Sequence, residues 1–387
     1  MLVFLGLILT YTLMLALVFS IPEGPISRHL QQSIPVVQSE GAAYVVNKGD
    51  SPASRLDNFT DSIMMRGTVV KGEDKLVEAM IPDYARYWHG YLVVLRPLMF
   101  LMNYTSIRML YSVIILFLMM ITTYLLFRQN NIFSAVSFIL GMVAIRYQVL
   151  GYSMRYSNVF IITMVAMVLG ILLRQWLTKS YWRIGVYFMI IGSVVNFVDF
   201  LTVPMVSFGL PLLTVMQIMP VTGKSSFKQV KTNILAMVIS GILWVFGYAG
   251  TWLSKWLLAS FLLHKNVVND ALNQILFRTE GNVEYPLDRI VMLKSNLVTM
   301  FPMSVITMLI IAFAVLLSFY GWQNKWHIKQ VRWEYLLPVT LPFIWYEALA
   351  NHSQIHYWMT YRALIITVLA IGVFLGSGLG NGEEKNG

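Results

Sequence analysis

The sequence predicts an all-α fold, a polytopic bundle of transmembrane helices with a large outer first loop that carries surface helices. Hydrophobic residues fill 57% of the 387 positions, and charged residues fill 12%, compared with about 25% in soluble domains. Apolar runs of roughly 17–25 residues recur along the chain, and each can cross about 30 Å of hydrocarbon as a helix. About ten membrane spans are therefore expected. The ten runs cover residues 2–20, 106–127, 132–150, 159–174, 184–200, 205–219, 233–263, 297–320, 335–350 and 363–379.

Four parts follow from this pattern. Residues 1–20 form a first transmembrane helix, residues 21–105 an outer loop, residues 106–379 the transmembrane bundle, and residues 380–387 a cytoplasmic tail. The first run has no basic residue before it, and VFSIPEG is a poor signal-peptide cleavage site. We therefore expect an uncleaved first helix.

The basic residues predict the orientation of the chain, because Lys and Arg in short loops favour the cytoplasmic side. Ten basic residues fall in connections that would be cytoplasmic if the N-terminus is inside, whereas the short outer connections hold only Arg155 and Arg362. The ten are Arg128, Arg174, Lys179, Arg183, Lys224, Lys228, Lys231, Lys325, Lys329 and Arg332. Both termini are expected inside and the first long loop outside, in the plasma membrane.

The composition also excludes some classes of function. The net charge of +10 is explained by this topology signal and by contact with anionic membrane lipid, so nucleic acid is not an expected partner. The chain has no cysteine, which excludes disulfides and thiolate chemistry. It has no Walker A sequence, no GxGxxG after a strand and no GxSxG elbow. A donor substrate would have to come from within the membrane.

The outer loop contains three stretches with helical character. PISRHLQQSI opens with helix-starting residues, and SRLDNFTDSIMMRG places Asp57 and Asp61 four apart, on one face if helical. YARYWHGYLVVLRPLMFLM is aromatic and basic at one end and apolar at the other, which is typical of an interfacial helix. Surface helices of this kind indicate a lid or a substrate platform.

Ionisable residues cluster near the outer ends of the predicted spans. Such residues inside a membrane indicate function by default, although ion pairing for structure, or snorkelling by Lys255, is the alternative. Several cations at one depth beside carboxylates and aromatics favour a cavity for an anionic lipid headgroup, in which Lys255 would contact a phosphate. The set comprises His89, Arg96, Arg146, Arg155, Asp199, Lys255, Glu347 and Arg362.

The stretch NHSQIHYWMTYR, residues 351–362, adds two histidines to this set. His352 and His356 are four apart, a spacing that metal-binding helices also use, but no acidic residue completes an HExxH motif. We expect the pair to hydrogen-bond sugar hydroxyls or a phosphate, or to cap the turn between the last two helices. No metal ligand is assigned and no cofactor is expected, although a divalent metal is left open.

This layout resembles the GT-C superfamily of integral-membrane glycosyltransferases. The resemblance implies a polyprenyl-phosphate or polyprenyl-diphosphate sugar as donor, a glycan or lipid acceptor, and an acidic catalytic residue in the first outer loop. Glu23 in SIPEGP matches the position of that acid. Asp57 and Asp61 in LDNFTDS are alternative candidates for it in the same loop. The chain departs from the family pattern because it has no paired DE after the first helix. RYWHGYLVVLRP, TWLSKW and NHSQIHYWMTYR also resemble membrane proteins of bacterial surface-polysaccharide clusters.

The implied reaction is transfer of a sugar at the outer face, with the acid as general base and Lys255, Arg146 and Arg362 stabilising the departing phosphate. Two other classes remain open. A Wzy-like polysaccharide polymerase would elongate a repeat unit on a lipid-linked substrate. A lipid-linked sugar transporter or flippase would need a site near the bilayer midplane and preferably an internal repeat.

Overall fold

The protein is all-helical in its computed structural model, so the predicted fold class is confirmed at this level. The structure describes residues 1–69, 74–80, 84–129, 131–219, 226–324 and 331–378, with backbone alone at 226–229 and 321–324. Within these ranges every regular element is a helix, and β-pairing is confined to two isolated bridges, Val45 with Arg55 and Gly281 with Pro286. The predicted tail, residues 380–387, lies outside the described ranges.

Six helical segments of the described chain are long and apolar enough to cross a membrane. They are α6 (Tyr104–Arg128), α9 (Met154–Leu172), α11 (Tyr181–Val198), the part Val230–Leu263 of α13 (Ser226–Leu263), the part Met303–Tyr320 of α16 (Met303–Asn324), and Tyr357–Ser377. The last segment joins α19 (Tyr357–Thr360), a 3-10 turn (Tyr361–Leu364) and α20 (Ile365–Ser377). A bent pair, α1 (Leu2–Val18) and α2 (Glu23–Glu40), meets at 85° and gives a seventh span if it counts as one.

Three of the ten predicted spans correspond to shorter or irregular elements. These are α7 (Ile132–Ala144), α12 (Val206–Ile218), and a 3-10 helix (Trp333–Thr340) that continues into α17 (Leu341–Ala348). The interruptions have local causes. Arg146 takes a left-handed backbone conformation with φ 60° just after α7, and Pro338 and Pro342 cannot donate the backbone hydrogen bonds that an α-helix needs.

The remaining helices lie in the connections. They are α3 (Asn58–Arg66), α4 (Lys75–Glu78), α5 (Leu92–Leu101), α8 (Tyr147–Leu150), α10 (Arg174–Leu177), α14 (Val267–Glu280), α15 (Arg289–Met300), α18 (Ala350–Ile355) and a 3-10 turn (Lys48–Asp50). The stretch YARYWHGYLVVLRPLMFLM is helical only from Leu92, because Tyr84 and His89 have positive φ values that break a right-handed helix.

α11 and α13 pack closely against each other along their lengths. A Cβ atom on Gly192 would overlap the carbonyl oxygen of Trp244, and one on Gly247 would overlap that of Met189. Each glycine therefore lets the facing backbone approach, which is the usual basis of tight helix packing in membranes. In contrast, α16 lies at the edge of the bundle. Only 6% of its 18-residue apolar stretch is buried, compared with 72% of the corresponding stretch in Tyr357–Ser377.

One end of the bundle, here called the loop face, gathers the ends of several spans. α6 and α9 both begin there, since Tyr104 and the backbone of Met154 donate hydrogen bonds to the same Asp61 carboxylate. α11 ends there, since Arg155, near the start of α9, donates to the carbonyl of Phe200. The loop face is where the candidate site lies.

Candidate functional site

A cavity of about 610 Å³ opens at the loop face, a size typical of small-molecule sites. Its polar lining residues are Arg55, Asp57, Thr60, Arg86, Arg155, Gln274, Arg278 and His356. Its aromatic lining residues are Phe59, Tyr84, Tyr87, Phe200, Phe277, Tyr285 and Trp358. We call it the arginine cavity, after its four arginines.

The arginine cavity takes its walls from distant parts of the chain. Arg155 is the second residue of α9, Phe200 follows the end of α11, and Trp358 is the second residue of the last span. Arg278 comes from α14, which follows the end of α13. The cavity therefore lies at the boundary between the membrane spans and the loops above them.

The four guanidinium groups differ in how they are neutralised. Arg155 pairs with Asp57 inside the cavity wall, and Arg86 pairs with the half-exposed Asp270 at 3.0 Å. Within the described chain, Arg55 and Arg278 have no carboxylate within ion-pairing distance. Arg55 instead lies 4.1 Å from the ring centroid of Trp358, and the Nε atoms of Arg55 and Arg278 are buried without a partner. The cavity thus has an excess of positive charge.

Asp57 is positioned by the start of α3. One carboxylate oxygen caps the helix by accepting from the Thr60 backbone N–H at 3.2 Å, and the other accepts from the Thr60 hydroxyl at 2.7 Å and from Arg155. Burial alone would raise the pKa of Asp57, but the charge of Arg155 and these hydrogen bonds hold that pKa below its ordinary value. Asp57 is therefore an ionised, fully engaged carboxylate.

The two histidines of NHSQIHYWMTYR lie side by side, with ring centroids 4.7 Å apart. His352 is buried. Its Nε2 is 3.0 Å from the carbonyl of Leu201, so that nitrogen donates, and its Nδ1 accepts from Arg278 at 2.6 Å. His356 is half-buried and lines the cavity. Burial, together with the charges of Arg155 and Arg278, lowers the pKa of His356 to about 3, so the ring is neutral at pH 7.

The loop that carries Arg55 and Asp57 is held to the bundle by predicted site residues that do not line the cavity. Arg146 donates to both oxygens of Asp50 at 2.7 Å. Arg362, fully buried, donates to the carbonyl of Ala53 at 3.0 Å. These bonds place Arg146 and Arg362 in a supporting role, in which they fix the cavity wall.

Asp61 lies behind the wall and is fully buried. It accepts hydrogen bonds from the Tyr104 hydroxyl at 2.5 Å, from Ser153 Oγ at 3.2 Å, and from the backbone N–H groups of Met154 and Arg155 at 3.1 Å. Burial raises the pKa of Asp61 to about 6, despite the hydrogen bond from Tyr104. The carboxylate joins the starts of α6 and α9 and caps the latter.

Asp199 also lies behind the wall, next to Arg155. One of its oxygens accepts from the Thr202 backbone N–H at 2.8 Å, and the other is buried without a partner in the described chain. Thr202 in turn bonds Arg155 through its hydroxyl at 3.3 Å. Asp199 therefore supports the loop that positions Arg155, and it does not line the cavity.

Two of the predicted residues lie at the bend between α1 and α2. Arg96 is fully buried and donates to the carbonyls of Val18 at 3.0 Å, Ile21 at 3.1 Å and Thr68. It thereby joins the bend between α1 and α2 to the segment that follows α3. Glu23 is the first residue of α2 and is half-buried. The structure does not bring either residue to the arginine cavity.

The other three predicted residues are also separate from the cavity lining. Lys255 is fully buried, with Nζ 2.7 Å from Met80 Sδ and 5.9 Å from the ring centroid of Trp88. His89 is buried, with ring nitrogens 3.1 Å from the Tyr91 hydroxyl and 3.2 Å from the carbonyl of Tyr84. Glu347 forms a surface pair with Arg289 at 3.4 Å.

Sequence reasoning did not single out Arg55, Arg86 and Arg278, which supply three of the four cavity arginines. All three lie outside the predicted spans. Arg55 and Arg86 fall in stretches that were expected to form surface helices of the outer loop, and Arg278 falls in the connection between two predicted spans. The signal that could have found them is their neighbourhood, since Arg86 stands between Tyr84 and Tyr87 in YARYWHG. Arg55 and Arg278 carry no comparable pattern, because their partners Trp358 and His352 are distant in sequence.

The geometry is suited to binding an anion beside an apolar, aromatic surface. Guanidinium groups recognise phosphate and carboxylate through paired N–H donors, and two of the four have donors not engaged by a carboxylate. In the part of the chain that the structure describes, no group of three or more His, Asp or Glu could hold a metal ion.

The chain was compared with family models, with curated proteins and with solved structures. Nothing in any of the three comparisons matches it.

Proposed function

We propose that this protein is a membrane glycosyltransferase of the GT-C type, which moves a sugar from a polyprenyl-phosphate or polyprenyl-diphosphate donor to a glycan or lipid acceptor. The reaction would take place at the outer face of the plasma membrane, in the assembly of surface polysaccharide or glycolipid. The observation that carries the proposal is the arginine cavity, in which four arginines and aromatic side chains meet at the ends of the membrane spans.

The arginines fit the phosphate of a lipid-linked donor. Arg55 and Arg278 are free of carboxylates among the described residues and are placed to bind phosphate oxygens, while Asp57 holds Arg155 in position. Fixed cations at the place where negative charge develops stabilise a departing phosphate without reorganisation during the reaction. Because the cavity adjoins the spans, the polyprenyl chain can remain in the bilayer while its head enters.

The aromatic lining residues fit the sugar. Tyr84, Tyr87 and Trp358 present flat apolar surfaces next to polar groups such as Gln274. A site of about 610 Å³ lies in the range of about 300–1,000 Å³ that small-molecule ligands occupy. A sugar attached to a phosphate therefore fits without the lipid.

Ten crossings are part of the proposal. α6 runs from the loop face to the opposite end of the bundle, and α9 begins at the loop face again. The chain between them must therefore cross back to the loop face, and α7 is the apolar helix that can make this crossing. The same argument assigns crossings to α12, and to residues 333–348. A 13-residue helix rises only about 20 Å, so nonhelical flanks complete α7 and α12. With the basic connections inside, the loop face and residues 21–105 are outside.

The position of the cavity favours an enzyme over a transporter. Secondary transporters bind substrate near the bilayer midplane, whereas the arginine cavity lies at the span ends. A Wzy-like polymerase would use the same anionic lipid carrier, and the length of the product separates the two: one added sugar or many repeat units.

Sugar transfer tests the proposal directly. Purified protein in lipid nanodiscs is incubated with radiolabelled polyprenyl-phosphate and polyprenyl-diphosphate sugars and a panel of acceptors. We expect label to move from lipid to acceptor, and Arg55→Ala or Arg278→Ala to lower kcat/KM roughly 10- to 150-fold, the loss of one charged hydrogen bond.

Arg289→Ala is the matched control, because Arg289 is a half-exposed arginine paired with Glu347 and does not line the cavity. It should retain full activity. If the wild-type protein transfers no label from any donor but carries the labelled lipid across liposomes, the transferase proposal is wrong and the transporter is favoured.

A further inference from the structure

Two groups that line the arginine cavity could accept a proton at neutral pH, Asp57 and His356. Both oxygens of Asp57 are engaged, one by the Thr60 backbone N–H and the other by the Thr60 hydroxyl and Arg155. A carboxylate held in this way is a weak proton acceptor, because protonation would break its ion pair with Arg155 in a buried site. Asp57 is therefore poorly placed to act as the base.

His356 is the opposite case. No described protein group forms a hydrogen bond with either of its ring nitrogens, and Nδ1 is buried without a partner. The ring is nevertheless held in place. It packs edge-on against His352 at 4.7 Å and Trp358 at 5.8 Å, measured between ring centroids, and its backbone N–H donates to the His352 carbonyl at 3.0 Å. Because Nδ1 is buried, Nε2 is the ring nitrogen that a substrate in the cavity can reach.

We propose that His356 is the general base of the transfer reaction, an inference that rests on the proposed function. A ring nitrogen of His356 takes the proton of the acceptor hydroxyl. The hydroxyl oxygen forms its bond to the anomeric carbon as the bond from that carbon to the phosphate oxygen breaks. The electron pair leaves with the phosphate, where Arg55 and Arg278 compensate the added negative charge. The reaction needs no oxidant, reductant or further reactant.

The charges that face His356 account for part of its lowered pKa, and a bound phosphate would change that part. After burial, the lowering of its pKa comes from Arg155 and Arg278, with a smaller contribution of the same sign from Arg55, while Asp57 opposes them. The adjacent His352 is neutral by its hydrogen bonds. A bound phosphate would neutralise these cations, so the His356 ring would hold a proton more tightly in the complex than in the free protein.

The test is the pH dependence of transfer by the wild-type protein and by His356→Gln, with a radiolabelled polyprenyl-phosphate sugar as donor. The fall of kcat at acidic pH reports the pKa of the base in the substrate complex, and the fall of kcat/KM reports its pKa in the free protein. Because bound phosphate should raise the pKa of His356, we expect kcat to fall at a higher pH than kcat/KM. We expect His356→Gln to lower kcat by about 10²–10⁴-fold and to remove its fall at acidic pH, with imidazole partly restoring activity to His356→Ala.

The controls separate a chemical role from a structural one. His356→Gln should keep the wild-type melting temperature and bind unlabelled polyprenyl phosphate within about threefold of the wild-type Kd, a shift of about 0.65 kcal/mol. If wild type is active and His356→Gln transfers sugar at the wild-type rate with an unchanged fall at acidic pH, His356 is not the base. If wild type itself transfers nothing, the proposed function has failed instead.

Discussion

At the scale of single residues, the same type of side chain has two different uses in this protein. Arg96 and Arg362 are fully buried, yet they donate to backbone carbonyls and stabilise the ends of structural segments. Arg55 and Arg278 are less buried, and both line the cavity without a carboxylate partner in the described chain. Burial of a cation is therefore a poor guide to function here, and the identity of its partners is a better one.

The sequence predicted that cations and acids meet near the outer ends of the spans, and for Asp57, Arg155 and His356 the structure shows a shared cavity. It could not predict which cations would join them. Hydrophobic length gives the depth of a residue along a span but not the direction in which the side chain points. For Lys255, a position between Trp252 and Trp256 therefore gave no indication that its Nζ lies against Met80.

The pair of Asp57 and Arg155 gives a prediction about stability. Asp57→Asn leaves Arg155 as a buried cation without its carboxylate, and we expect the protein to lose about 3–5 kcal/mol of stability at pH 7. Because the pKa of Asp57 is lowered in the folded protein, this advantage of the wild type is present above the unfolded pKa of about 3.9 and is lost as the pH falls through the folded value. Thermal unfolding in detergent measures the loss.

Two further variants make that measurement specific. Arg155→Met combined with Asp57→Asn should recover part of the lost stability, since no charge is left unpaired. Glu347→Gln removes an exposed carboxylate paired with Arg289 at 3.4 Å and should change stability by less than about 1 kcal/mol. Equal effects of Asp57→Asn and Glu347→Gln would show that the cavity pair contributes no more than a surface pair.

At the scale of helices and loops, the sequence was most informative where the signal was long and apolar. α6, α9, α11, α13, α16 and the last span all fall within or across predicted runs. The stretch YARYWHG was misjudged, because its aromatic and basic residues fit an interfacial helix but its backbone turns at Tyr84 and His89. Tyr84, Arg86 and Tyr87, in this turning segment, lie on the cavity wall.

The contact between α11 and α13 yields a prediction about packing. Gly247→Leu would put side-chain atoms where the Met189 carbonyl lies, so the helices must separate or shift. Overpacking of this kind typically costs about 1–3 kcal/mol, and we expect a lower melting temperature in detergent. Gly6→Leu is the control, because nothing lies within 4 Å of a Cβ built there. A wild-type melting temperature for Gly247→Leu would contradict the described packing.

At the scale of the whole molecule, the arginine cavity lies at one end of the spans, and the basic stretch at residues 174–183, which joins α9 to α11, lies at the other. The sequence predicts which end is cytoplasmic from the Lys and Arg residues in its connections. This prediction uses many connections at once, so an error in the bounds of one helix does not change it. The arginine cavity could not be predicted in the same way. Its walls come from α3, α9, α14, α18, the last span and four loops. The meeting of these parts depends on tertiary contacts that local periodicity does not encode.

The most direct test of a phosphate site in the arginine cavity is the affinity of the purified protein for polyprenyl phosphate, measured beside polyprenol, the same lipid without its phosphate. We predict that wild type binds polyprenyl phosphate at least tenfold more tightly than polyprenol. Replacing both Arg55 and Arg278 by alanine should abolish that preference, and Arg289→Ala should leave it unchanged. Equal affinity of the wild type for the two lipids, or an undiminished preference in the double variant, would show that Arg55 and Arg278 do not form a phosphate site.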